Sequence, residues 1–392
     1  MLAFLHAVTV IAVAMSLASI AYCVLCIWLA RQFRAHCHET ASESATQPAV
    51  SILKPIKGAD PDMYEALRSH CVQNYSDYEI LFGITDPDDA AAPLIENLKQ
   101  EFPERTIHIV RCEKRLGANG KVSSLAQLAK SATYDFLVVS DSDIRVESDY
   151  LHKVISELQS PGVGLVTCLY RGTARGTIGS KLEALGISTD FVPGVLAANF
   201  IERGIRFGLG STLAFRKREL DAIGGFEAIV DYLGDDYELG RCIAEKNLRV
   251  ELSSAVVETH LPAYGFGGFF AHQLRWARTI RASRPLGYAG LLFTFTLPWA
   301  VAALLLAQGA VSAWWLVAAA LLARGTTAFV TARRVLRDAQ TVRWLWLVPL
   351  RDFLAVVIWL AGLFGTKIIW RGESFILEKG KLKPCRPPGV HD

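Results

Sequence analysis

Two acidic pairs are the residues best suited to chemistry. Asp141 and Asp143 are separated by one serine in FLVVSDSDIRV (136–146), and Asp235 and Asp236 are adjacent in YLGDDYELG (232–240). Like charges delivered to one place by an apolar run repel. The usual compensation is a divalent cation, which takes oxygen ligands and can bridge phosphates in a site with one or two protein carboxylates. Asp141 and Asp143 are on that ground a candidate grip on a metal-diphosphate unit, although a lone D-x-D is also what an acidic surface loop presents. The second pair admits two readings. Carboxylates favour a helix N-terminus, and a carboxylate held within hydrogen-bond reach of a hydroxyl can act as its general base.

Further acids follow other apolar runs: Asp60 in KPIKGAD, and Asp86, Asp88 and Asp89 in GITDPDD. The latter three could equally cap a helix beginning near Ala90. In RLGANGKV (115–122) only two residues separate Gly117 from Gly120, and Val122 follows Lys121. That is not a Walker loop, so ATPase chemistry is not expected and Lys121 remains a candidate phosphate contact. His260 in VETHLP is either a third metal ligand or a structural histidine at a strand end, the commoner case. In HQLRWARTIRASR (272–284), Arg275, Arg278 and Arg281 share one broad helical face, with Leu274, Ala277 and Ile280 on another. A basic amphipathic helix before an apolar span lies in the membrane interface and attracts anionic lipid. Arginine also holds diphosphate oxygens in bidentate fashion, and the two uses can divide these arginines between them.

The elements that must position these residues follow from the patterning. From 50 to about 260, apolar runs alternate with helical stretches: AVSILKPI, DMYEALRSHCVQ, YEILFGIT, AAPLIENLKQEF, TIHIVRC, KVSSLAQLAKSA and DFLVVSD. This rhythm predicts βαβ units on a mostly parallel sheet. Such sheets bind ligands beyond the carboxyl ends of their strands, where Asp60, Asp86, Asp141 and Asp143 all fall. One crevice lined with acids is the expectation.

The bulk composition places this domain at a membrane. Of 392 residues 52% are hydrophobic, and the mean hydropathy of +0.28 is high for a soluble enzyme. Residues 2–30 carry no formal charge apart from His6, longer than the ~20 residues that cross a bilayer. The basic RQFRAH follows rather than precedes them, which argues for an anchor over a cleaved signal and puts the following chain in the cytoplasm. A polar linker (38–49) comes next. Apolar character returns at 291–307, at 314–323, which is short, and at 344–365, where Arg351 and Asp352 need partners or water. The first two of these predict a hairpin of unequal helices. The basic stretches 332–343 and 367–384 both favour the cytoplasm, so a full span between them conflicts with the positive-inside rule and a re-entrant or interfacial segment stands as the alternative. The expected division is an anchor at 1–37, a catalytic domain at 50–285, membrane segments at 286–370 and a basic tail at 371–392. The net charge of +3, with no basic stripe interleaved with aromatics before residue 270, excludes nucleic acid as a partner. The eight cysteines are scattered, and Cys23-x-x-Cys26 lies in an apolar run without a second pair; they read as reduced, structural thiols.

KPIKGAD, DSDIRV, GDDYELG and Arg275-Trp276, in this order and spacing, resemble the ceramide glucosyltransferase family, relatives of the processive sugar-polymer synthases. The bacterial branch that glycosylates hopanoid polyols is similar in pattern. The resemblance runs from about residue 50 to WRGESFIL (370–377). It implies an α/β GT-A nucleotide-sugar-binding domain with membrane helices on both sides, and an inverting transfer of glucose or N-acetylglucosamine from a UDP-sugar to the hydroxyl of a membrane lipid, ceramide or a hopanoid polyol. It further implies that Asp60 contributes to nucleotide-sugar binding, that Asp141 and Asp143 hold Mg²⁺ or Mn²⁺, and that Asp236, beside Asp235, is the catalytic base; Asp86 and Lys121 join Asp60 as nucleotide-sugar candidates by position. Arg275 and Trp276 match the end of a Q/R-x-x-R-W motif placed near diphosphate and acceptor. His272 departs from that motif, and Gln273 lies one residue later. The aromatic, glycine-rich AYGFGGFF (263–270) suits an interfacial lip for a lipid or plain anchoring. A processive polysaccharide synthase shares the acidic motifs and would need more spans; a non-catalytic lipid-binding scaffold would tolerate loss of Asp236.

Overall fold

The computed structural model describes residues 1–39, 47–60, 62–370 and 372–385; most of the predicted linker and the end of the tail lie outside these. The apolar runs become an eight-stranded sheet of β1 (Val50–Ile56), β2 (Tyr78–Ile84), β3 (Thr106–Arg111), β4 (Phe136–Val139), β5 (Ile144–Arg145), β6 (Val163–Thr173), β7 (Leu213–Arg216) and β8 (Arg249–His260), in the order β3-β2-β1-β4-β7-β6-β8-β5. β1 pairs in parallel with both β2 and β4, and β2 with β3. Burial on both faces explains why these strands read as continuous apolar runs; all seven residues of β2 are buried. Beyond β4 the pairing reverses: β4–β7, β6–β7 and β5–β8 are antiparallel. The sheet is therefore mixed, and the mostly parallel expectation holds for its first half.

The chain divides into two compact units, one of Met1–His36, Arg171–Ile201 and Ala263–Gly365, the other of Cys37–Tyr170, Glu202–Pro262 and Thr366–Asp392. Of the stretch 50–285 expected as the catalytic domain, residues 171–201 and 263–285 lie in the first of these units, the helical one. Among the described residues four helices are long and apolar enough to cross a membrane: Ala3–Phe33, Ile178–Ile201, Val311–Leu336 and Leu345–Gly362. A fifth span results if Pro285–Thr294 and Thr296–Leu306, bent by 58°, are taken together. The short run 314–323 is the middle of a 26-residue helix.

Buried charges hold the helical unit together. Nε of Arg324 donates to both Asp352 oxygens, at 2.9 and 3.1 Å, and Nη1 donates to the Thr189 carbonyl at 2.5 Å. Nη2 also pairs with Asp190. Arg351 does not pair with its sequence neighbour Asp352; its Nη2 donates to Gln273 Oε1 at 2.9 Å and lies 3.4 Å from Asp190. Adjacent residues on a helix do not face each other, so each finds its partner on another helix.

The predicted basic tail is folded in its described part. β9 (Lys367–Trp370), β10 (Glu373–Glu378) and β11 (Lys381–Pro384) form an antiparallel sheet around Ile368, Phe375, Leu377 and Leu382.

Candidate active site

β4 ends in a short turn that carries both carboxylates of the D-x-D, and β1 beside it supplies the support. Lys54 lies in the middle of an apolar strand, is fully buried, and its ammonium donates to the Asp141 carbonyl at 3.0 Å and to Ser140 Oγ at 3.2 Å, with His70 Nε2 at 3.3 Å. Burial pushes Lys54 down to about 7 despite the nearby carboxylates, and burial, then the charge of Lys54, pushes His70 well down. A buried ammonium is tolerated only with such partners, so the turn is held from beneath by its backbone.

Above that support one cation meets two acidic segments. Lys121, in the first turn of the helix Gly120–Ser131, lies with Nζ 2.7 Å from Asp141 Oδ1 and 3.3 Å from Asp235 Oδ2. Burial works against the charge of Lys121, yet Asp141 and Asp235 raise its pKa above the usual lysine range. Asp235 and Asp236 open the helix Asp235–Ala244, where the macrodipole favours negative charge. The carbonyl of Asp236 accepts from Gly208 N at 3.1 Å, and its carboxylate accepts from Tyr237 N at 2.8 Å. Burial first, and then the Asp235 charge, raise Asp236 to about 6, with Lys121 opposing. Asp235 and Asp143 are also raised, chiefly by burial. A Cβ on Gly210 would lie 3.3 Å from Asp236 Oδ2 and 3.6 Å from Asp141 Oδ2, so both carboxylates border the same glycine. The structure thus brings Asp141, Lys121, Asp235 and Asp236 together.

The other candidates are placed differently. Asp143 accepts from Thr259 Oγ1 at 2.7 Å. His260 lies with Nε2 3.2 Å from Glu258 and Nδ1 3.6 Å from Asp62, so acids face both ring nitrogens. Among the described residues no group of three or more His, Cys, Asp or Glu side chains is placed to hold a metal ion. Asp60 is exposed in the loop after β1. Asp86 is exposed and accepts from Asp88 N at 3.0 Å within its own turn. Asp89, rather than Asp86, ties the loops, accepting from Gly58 N at 2.9 Å and Ala91 N at 2.9 Å. The helix that follows begins only at Ala92 and has no side-chain cap.

His272, Gln273, Arg275 and Trp276 sit on the helix Phe266–Ser283 of the helical unit. His272 Nδ1 lies 2.8 Å from the buried Glu183, which also pairs with the Tyr264 hydroxyl, and its ring lies 5.5 Å from that of Trp276. Gln273 is held by Arg351. Sequence reasoning missed Lys54, His70 and Glu183. The signal for Lys54 was present, a lysine inside VSILKPI where every neighbour is apolar or small; Glu183 has no such mark.

A family model described as Glycosyl transferase family 21 matches residues 10–383. Ceramide glucosyltransferase 3 of Caenorhabditis elegans is 27% identical over 249 residues, covering 63% of this chain and 54% of that protein. Ceramide glucosyltransferase of Candida albicans is 35% identical over 121 residues, covering 28% and 22% of the two chains. At 54% coverage of the first of these, the chain spans about half of that relative's length. Among solved structures, a mannosyltransferase from Pyrobaculum calidifontis in complex with GDP-Man and Mn²⁺ superposes with a TM-score of 0.51 at 20% identity, over 90% of this chain and 98% of that one. At that identity the likeness establishes the glycosyltransferase fold.

Proposed function

Because the chain belongs to glycosyl transferase family 21, matched over residues 10–383, we propose that it is a membrane-bound inverting glycosyltransferase. It transfers glucose or N-acetylglucosamine from a UDP-sugar to the hydroxyl of a membrane lipid, ceramide or a hopanoid polyol, with the catalytic domain on the cytoplasmic side. The observation that carries the reading is the cluster of Asp141, Lys121, Asp235 and Asp236, with Lys121 bridging two acidic segments. The names of the Caenorhabditis and Candida relatives favour glucose and ceramide.

Asp236 is the base. A buried carboxylate near 6 is ionised at neutral pH and is a stronger base than an ordinary aspartate. It takes the proton of the acceptor hydroxyl while that oxygen forms a bond to the anomeric carbon; the bond from that carbon to the diphosphate oxygen breaks, and UDP leaves with the electron pair. One displacement inverts the configuration, so an α-linked donor gives a β-glycoside. Lys121, between Asp141 and Asp235, offers its ammonium to the diphosphate in this reading. Asp60 keeps the nucleotide-sugar role, and Arg275 and Trp276 the diphosphate and acceptor role, on the motif alone; Asp86 keeps the nucleotide-sugar role on its place after β2.

A divalent cation suits the donor set. Carboxylate oxygens are the ligands Mg²⁺ and Mn²⁺ prefer, and such ions commonly take only one or two protein carboxylates and fill their remaining positions with phosphate and water. Asp141 and Asp143 would hold it. When bound it would neutralise charge developing on the leaving diphosphate. His260, which faces Glu258 and Asp62, is the further candidate ligand.

The test is transfer of radiolabel from UDP-glucose and from UDP-N-acetylglucosamine into extractable lipid by purified protein, with ceramide or bacteriohopanetetrol as acceptor and Asp236→Asn as control. Labelled lipid that disappears in the variant is expected and names donor and acceptor together. Label in a polymer, or lipid labelling that survives Asp236→Asn, would overturn the reading.

A further inference from the structure

The β9–β11 sheet has two chemically different faces. Its inner face is Ile368, Phe375, Leu377 and Leu382, all buried. The register Ser374↔Ile369, Ile376↔Lys367, Ile376↔Lys383 and Glu378↔Lys381 puts the alternate residues on the other face. There Ile369 is 68% and Ile376 44% exposed, and Lys367, Lys381 and Lys383 are exposed around them. The single acid on that face, Glu378, pairs with Lys383 at 2.5 Å. Two bare isoleucines ringed by lysines are costly in water and suit the boundary between acyl chains and anionic headgroups.

Covalent connectivity says what covers this face. The candidate span Leu345–Gly362 ends five residues before Lys367, a stretch that reaches at most about 18 Å when fully extended. Just after the span Leu363 and Phe364 are exposed, at 41% and 72%, so bare apolar side chains stand at both ends of this short connection, there and at Ile369. The interfacial layer on each side of a bilayer is about 5–8 Å deep, and the first strand begins within reach of it.

The same sheet is bonded to the acidic segment. Leu382 N donates to the Asp231 carbonyl at 2.7 Å and Leu233 N to the Gly380 carbonyl at 3.1 Å, and Lys381 lies over the Tyr232 ring. Gly234, Asp235 and Asp236 follow directly. We propose that the outer face of the β9–β11 sheet, Ile369 and Ile376 within a ring of Lys367, Lys381 and Lys383, rests on the headgroup layer of an anionic bilayer and so holds the 231–236 segment at the membrane surface. The docking itself is independent of the transferase reading; only its use, presenting Asp236 to a lipid hydroxyl, rests on that reading.

The experiment uses the full chain in lipid nanodiscs, with a dansyl amino acid introduced by codon suppression at position 369 or 376, and at Glu113, an exposed position of the other sheet's loops, as control. Discs contain spin-labelled lipid in phosphatidylcholine alone or with phosphatidylglycerol. Expected is quenching at 369 and 376 at least threefold above that at 113, greater in the anionic discs, with the anionic increment lost in Lys367→Glu/Lys383→Glu. Quenching at 369 and 376 no greater than at 113 overturns the docking. Quenching that ignores lipid charge and the lysine variants overturns the anionic partner. Both results are read without catalysis, so failure of the transfer assay leaves them distinguishable.

Discussion

Replacing Asp352 tests whether the helical unit is held by charge balance. Arg324 and Arg351 face Asp190 and Asp352, two charges of each sign, and the side chains of Arg324, Arg351 and Asp352 are 7%, 8% and 4% exposed. In Asp352→Asn the shape is kept while two guanidinium groups share one carboxylate. Nε of Arg324 loses an ionic acceptor for both of its contacts to Asp352. Breaking a buried pair from one side costs about 3–5 kcal/mol, whereas replacing both partners with apolar groups is often near neutral. Arg324→Met/Asp352→Leu should therefore cost less than the sum of its single variants, by roughly 2 kcal/mol or more, since residues in one network couple by up to about 3 kcal/mol. Equilibrium unfolding of the purified protein in mixed detergent measures the cycle. Single variants that add within about 0.5 kcal/mol would refute the reasoning and leave the cluster as a set of independently solvated groups.

Two further outcomes follow from the acidic cluster. If Asp236 acts as the ionised base, kcat/KM should rise with pH through about 6 and level off above it; Asp235→Asn, which removes a repelling charge, should move this limb to lower pH, and Lys121→Met, which removes an attracting one, to higher pH. Initial rates of lipid labelling against pH check both, and shifts in the same direction would contradict the assignment. Gly240→Ala should destabilise the protein by about 1–3 kcal/mol and cut transfer at least tenfold, because the new Cβ would lie 2.3 Å from Gly208 N and 2.5 Å from the Phe207 backbone, prising the acidic helix from the strand of contacts that holds Asp236. Gly120→Ala, whose Cβ would meet only Arg115 at 3.6 Å, should unfold like the unsubstituted protein and serves as the comparison in a thermal melt.

The parallel half of the sheet was legible because β1, β2 and β4 are buried on both sides and leave mostly apolar runs, in which Lys54 and Glu79 are the charged exceptions. The helical unit was legible only where its helices face lipid. Ile178–Ile201 contains Lys181, Glu183 and Asp190, which break the apolar run that would mark a span. Glu183 and Asp190 are paired inside the unit, so the charges that hid the helix are part of what fixes it. Val311–Leu336 was cut short at Arg324 for the same reason. In the antiparallel half β5 has two residues and β7 four, too few for a period, whereas β6 and β8 run to 11 and 12. The acidic motifs were visible as residues, but their meeting at Lys121 depends on long-range folding that spacing does not encode.

The order of charges at the site explains why a strand so apolar ends in carboxylates. Among the described residues Asp141, Asp235 and Asp236 share Lys121 as a strongly held ammonium, whereas Lys54, beneath them and near Asp143, is lowered to about 7 and is only partly charged at neutral pH. Burial first, and then the neighbouring acids, push Asp143, Asp235 and Asp236 upward, so further negative charge is unwelcome at the cluster. A nucleotide diphosphate approaching alone would add negative charge to this surplus. Under the proposed function, donor and divalent cation must therefore each strengthen the binding of the other, as linkage requires of any two ligands that share a charge deficit. A site built from fewer acids would bind the donor more freely, but its base would sit nearer the ordinary aspartate range and be a weaker acceptor of the hydroxyl proton.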